Sequence, residues 1–120
     1  MINPKNLENE LKQFTGSEQV FYLPLFPKFR YTEGVRYLAK EANCYWLLDY
    51  IFSNQHNKTI EEQPFQVWKL QVSENCTGQI KVEDGNNNLI KSFQLEFTDF
   101  PLKQIDLWFI EGTLILPSEY

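Results

Sequence analysis

The chain has 120 residues, of which 42% are hydrophobic, 16% aromatic and 22% charged, with a formal net charge of −5 at neutral pH. That length fits one domain with its own core, and the apolar content excludes disorder for want of hydrophobic residues. The acidic balance argues against direct nucleic-acid binding by phosphate neutralisation, and no apolar run is long enough to span a bilayer as a helix.

The N-terminal residues MINPKNLENELKQF lack the basic and apolar regions of a secretory signal, so cytoplasmic residence is expected. Asn3-Pro4 reads as a cap followed by proline at the first helical position. Leu7, Leu11 and Phe14 then form one helical stripe that Thr15-Gly16-Ser17 ends. Pro24 and Pro27 remove backbone donors from VFYLPLFPKFRY. This stretch is expected to be irregular or a short edge strand, clamped over the core by Phe21, Leu23, Leu25 and Phe26. Thr32 caps a second helix, with Glu33 in its first turn and Val35, Leu38 and Ala42 on its buried stripe. Asn43 suits a left-handed stop or a cap on the next helix. A third helix over about 44–55 buries Cys44, Leu47, Leu48, Ile51 and Phe52.

After a polar loop through Pro64 the period becomes two. Trp68, Leu70 and Val72 alternate with polar residues, then Ile80 and Val82, then Phe93, Leu95 and Phe97. Ile105, Leu107 and Phe109 share one face, and LIL at 114–116 completes a fifth strand. Helices first and strands after predict an α+β single domain spanning 1–120, with about three helices on a five-stranded antiparallel meander.

The string VEDGNNNL raises a calcium loop, because Asp84, Asn86 and Asn88 stand where an EF-hand places its first three ligands. Position six would then be Leu89 and position twelve Leu95, where glycine and a bidentate glutamate are required. A hairpin bend is the better reading, since Asp, Gly and Asn adopt positive φ at low cost. His56 is the sole histidine, and on a helix Tyr45, Asp49, Phe52 and His56 would form a stripe in which Asp49 orients the imidazole. Tyr45, Asp49 and His56, with Asp99, therefore make a candidate ligand site. Asp99 also reads as a turn residue accepting backbone N–H groups. Cys44 and Cys76 read as reduced, buried small hydrophobes. Neither a catalytic motif, a metal-ligand set nor a cofactor motif is present. Trp108, Ile110 and Ile115 point away from Leu107, Phe109, Leu114 and Leu116. They are either covered by Leu7, Leu11 and the proline-containing segment or exposed as a protein-contact patch.

The strings FTGS at 14–17, YTEGVRYLAKEA at 31–42, YWLLDYIFSNQ at 45–55, FQVWKL at 65–70, DGN at 84–86, TDFPL at 98–102 and LPSEY at 116–120 together resemble a family of small, uncharacterised bacterial proteins. It is a domain of unknown function met in cyanobacteria and on mobile elements. The resemblance implies a bacterial, cytosolic, self-contained domain and assigns no activity. The function expected from the sequence is a non-catalytic module that binds an unknown protein partner or itself through Trp108, Ile110 and Ile115. The alternatives are a small-ligand binder or hydrolase-like enzyme using Tyr45, Asp49 and His56, and an acidic mimic of nucleic acid.

Overall fold

The computed structural model describes residues 3–16 and 19–120. Helix α1, Pro4–Leu11, starts where Asn3 Oδ1 accepts the backbone N–H groups of Lys5 at 2.9 Å and Asn6 at 3.4 Å. It stops before Phe14, whose ring instead packs on Tyr37 at 5.4 Å; Ser17 lies outside the described residues. Helix α2, Glu33–Glu41, is capped by Thr32 Oγ1 and followed by Asn43 at a φ of 52°. Helix α3, Tyr45–Ser53, is shorter than the sequence predicts and tightens into a 3₁₀ turn over Asn54–His56.

Helix α4, Lys58–Glu61, lies where a polar loop is expected. Asn57 Oδ1 caps it by accepting the Thr59 N–H at 3.0 Å, and Ile60 anchors it in the core. The helix count among the described residues is therefore four, not three, because one capped turn with one buried anchor suffices here. None of the helices among the described residues is long and apolar enough to cross a membrane.

The five expected strands form as β3 (Phe65–Val72), β4 (Gly78–Asp84), β5 (Leu89–Leu95), β6 (Gln104–Ile110) and β7 (Thr113–Ile115). Two more, β1 (Val20–Phe21) and β2 (Arg30–Thr32), come from the proline-containing segment. The order β1-β2-β7-β6-β3-β4-β5 corrects the five-stranded antiparallel meander to a seven-stranded mixed sheet. Two physical demands drive the difference. A meander would leave β3 at an edge, yet β3 carries Trp68 and Leu70, both almost wholly buried. Strand β6 therefore returns beside β3, pairing Trp68 with Leu107 and Leu70 with Ile105, which makes a Greek key. Strand β7 would then be an edge, and β2 satisfies it in parallel, Arg30 opposite Thr113 and Tyr31 opposite Leu114.

All four helices contribute to one core with the inward side chains of the sheet, among them Trp68, Ile80, Val82, Leu107, Phe109 and Leu114. Past β7 a 3₁₀ turn, Pro117–Glu119, brings the Glu119 carboxylate to the start of α2. There it accepts from the Thr32 hydroxyl at 2.6 Å, the Leu116 N–H at 3.0 Å and the Gly34 N–H at 3.4 Å. An anion at a helix N-terminus is favoured by the exposed N–H groups and the helix dipole. Gly34 permits the approach, since a Cβ there would stand 2.7 Å from Glu119 Oε1.

Replacing Glu119 with alanine is expected to cost about 1.5–3 kcal/mol in urea unfolding, the range for hydrogen bonds to a charged group. Combined with Thr32→Val, the two losses should fall short of additive; strict additivity would show that the Thr32–Glu119 bond contributes nothing.

Candidate functional site

The outward side chains of β3 and β6 form the open face of the sheet. Val67 stands opposite Trp108 and Phe65 opposite Ile110, while Trp108 also faces Ile115 on β7. Trp108, Ile110 and Ile115 thus share one patch, each half-buried. Its cover is neither α1 nor the proline-containing segment. Leu7 and Leu11 lie in the opposite core, and Phe21, Leu23, Phe26 and Phe29 pack against it. Leu25, expected as part of the clamp, is 83% exposed. The ring over Trp108 is Tyr120, at 5.3 Å, with Phe65 at 5.2 Å on the same cluster. Beside this patch Lys69 and Glu83 form an ion pair at 3.2 Å.

The second candidate group does not converge. Tyr45 opens α3 and His56 lies in the 3₁₀ turn beyond its end, roughly 16 Å along the axis at 1.5 Å per residue. The imidazole Nδ1 donates to the Ser53 carbonyl rather than meeting Asp49. Asp99 is exposed but close enough to Cys44 for its charge to act on the thiol. In its turn it is Thr98 Oγ1, not Asp99, that accepts the Phe100 N–H, at 3.2 Å.

His56 instead borders a cleft of about 470 Å³ that its sequence neighbours did not announce. Lys28, Glu61 and Glu111 stand around it, Phe29 and Phe109 form its apolar wall, and Gln55 and Gln66 lie in its floor. The two glutamines, both buried, exchange amide hydrogen bonds at 2.9 Å in each direction. Gln66 Nε2 also donates to the Ile60 carbonyl at 2.9 Å, and its Oε1 accepts the Trp68 indole N–H at 2.9 Å. Every polar atom of the pair is satisfied within the protein, so the floor is rigid scaffold rather than waiting ligand. A signal existed: Gln66 has the same strand parity as Trp68, and an inward glutamine must find partners.

A model of a family of unknown function (DUF6876) matches residues 5–120. The chain belongs to that family. No curated protein matches it, and no solved structure does.

In this DUF6876 domain the Asp84 string is a hairpin bend, as its flanking alternation implies. Asp84 Oδ1 accepts the Asn86 N–H at 2.8 Å and the Asn88 N–H at 3.0 Å, with Asn87 at a φ of 68°. The bonds from Asn88, then that from Asn86, hold the Asp84 carboxyl below the usual carboxylate range. Among the described residues, no group of three or more His, Cys, Asp or Glu is placed to hold a metal ion. Both cysteines are free, but only Cys44 is buried; Cys76 is exposed in the β3–β4 turn, where the chain bends at a φ of 64°.

Replacing Gln66 with leucine strands the Trp68 indole and the Gln55 amide, and should cost about 2–4 kcal/mol by denaturant titration. Burial, and secondarily the Asp99 charge, pushes the Cys44 thiol up to about 12. A neutral-pH thiol reagent should therefore label Cys76 at once and Cys44 only on unfolding. Raising the folded value makes the sign definite: the Cys44 contribution is complete below the ordinary value of 9.0 and is lost as pH climbs toward about 12. Equal labelling of both thiols in the folded protein would contradict this.

Proposed function

We propose that this domain is a non-catalytic protein-binding module, acting in the bacterial cytoplasm, whose partner is a second copy of itself. Two open sheet faces would meet around Trp108, Ile110 and Ile115. The observation that carries the reading is the charge on that face. The chain has a net charge of −5, yet the outward residues of β3, β4 and β6 carry Lys69, Lys81, Glu83 and Asp106, two charges of each sign.

Like-charge repulsion between copies is thus small across this surface, and a two-fold axis can set a lysine of one copy against an acid of the other. The centre of the face supplies apolar area, and tryptophan is a favoured anchor in such contacts. Sheets pack face to face about 10 Å apart, so half-buried residues of this size suit the geometry. None of the outward residues of the long strands is fully buried within one copy.

Light scattering on a size-exclusion column, run across a concentration series, tests this. The wild type should give a dimer whose population falls on dilution. Trp108→Glu should be monomeric with its thermal midpoint essentially retained. Should that variant unfold, Ile115→Lys, across from Trp108 on β7 but contributing no ring to the aromatic cluster, provides the same readout. A wild type that stays monomeric throughout the series, or a dimer that survives both changes, would refute the proposal.

A further inference from the structure

The cleft beside His56 carries charges that the fold does not use. Lys28, Glu61 and Glu111 are exposed, like most charges of this chain have no ion-pair partner among the described residues, and are brought together around one concavity of about 470 Å³. That volume lies within the range of small-molecule sites, which combine an apolar wall with a few polar groups of fixed position. The wall here is Phe29 against Phe109, edge to face at 5.5 Å. The imidazole is oriented as well. Its Nδ1 is committed to the Ser53 carbonyl, so in the neutral ring that nitrogen bears the hydrogen and Nε2 is left as an acceptor.

Glu111 adds a separate observation. It occupies the first of two central positions in the β6–β7 turn, at a φ of 48° ahead of Gly112 at 89°. Two-residue turns of this kind favour Asn-Gly or Gly-Gly, and a glutamate there is held in a conformation that disfavours it. Its N–H donates to the Pro64 carbonyl at 3.1 Å, and Arg30 N–H donates to Gly112 at 2.8 Å, so the turn is pinned on both sides. A carboxylate is thus carried at the cleft mouth on a backbone that would be relaxed without it. Strain of this sort gathers where a side chain has work other than folding.

We infer that the cleft binds a small zwitterion of the α-amino-acid class with an apolar side chain. Glu61 and Glu111, with His56 Nε2, receive the ammonium group, Lys28 pairs with the carboxylate, and the side chain lies on Phe29. A ligand bearing only a cation leaves Lys28 unanswered, and one bearing only an anion faces two carboxylates.

The single histidine provides an unambiguous reporter. The His56 ring resonances would be followed by NMR at constant pH while L-phenylalanine, phenethylamine or 3-phenylpropionate is added. L-Phenylalanine should shift them saturably and bind at least about tenfold more tightly than either half-molecule, the gain expected of one added charge-assisted pair. Lys28→Met should reduce its affinity to that of phenethylamine. Glu111→Gly, which suits the turn and preserves the fold, should weaken both amines. Trp108→Glu should leave all three titrations unchanged, which separates this site from the self-association face. Absence of a saturable shift up to about 10 mM, a concentration that detects even millimolar affinity, would overturn the inference. So would equal binding of phenethylamine and L-phenylalanine, or binding that survives both cleft substitutions.

Discussion

One layer of helices has to cover a seven-stranded sheet, and it can cover only one side. The helices run for eight, nine, nine and four residues, and their apolar stripes all enter one core. Everything else in the molecule follows from that one-sidedness. Inward positions on β3, β4 and β6 hold mostly large apolar side chains, and Gln66 is the buried polar one, which brings its own partners. The outward positions mix lysine, acid and glutamine with a small aromatic cluster, and none of them is fully buried. A single-residue slip of β3 would exchange Trp68 with Lys69, so the alternation fixes the register as well as the facing.

Much of this was legible in the residues. Asn3 and Thr32 announced their helices because short polar side chains satisfy free backbone N–H groups. Asn43 announced a left-handed stop, and Asp84 to Asn88 a bend. The facing of Trp108, Ile110 and Ile115 followed from parity alone. What escaped was short or non-local. Strands β1 and β2 have two and three residues, too few for a period to show, and Pro24 and Pro27 between them argue for irregularity. Helix α4 is a single turn. The parallel pairing of β2 with β7 has no local signature, since nothing near Arg30 points to Thr113. The cover over Trp108 was missed because Tyr120 belongs to no periodic segment.

The same distinction separates the two surfaces. The open face is made by neighbouring strands, so sequence order carries its outline. The cleft gathers residues from near positions 28, 56, 61, 66 and 111, each unremarkable among its chain neighbours. His56 drew notice for being alone, and a helical stripe then assigned it the wrong company: α3 gives way to a 3₁₀ turn before the stripe can reach it. The β6–β7 turn borders both surfaces, with Ile110 on the open face and Glu111 at the cleft.

The link between Thr32 and Glu119 joins positions 87 apart, and the β2–β7 ladder beside it reaches almost as far. Contacts of that separation are entropically expensive to begin and rewarding only once complete. Hairpins β3–β4 and β4–β5 need only their own turns and can organise early. The second helix inherits part of its N-terminal support from a residue made 85 positions after Gly34, so on a growing chain it must wait. The early segment of this protein is therefore finished by the late one.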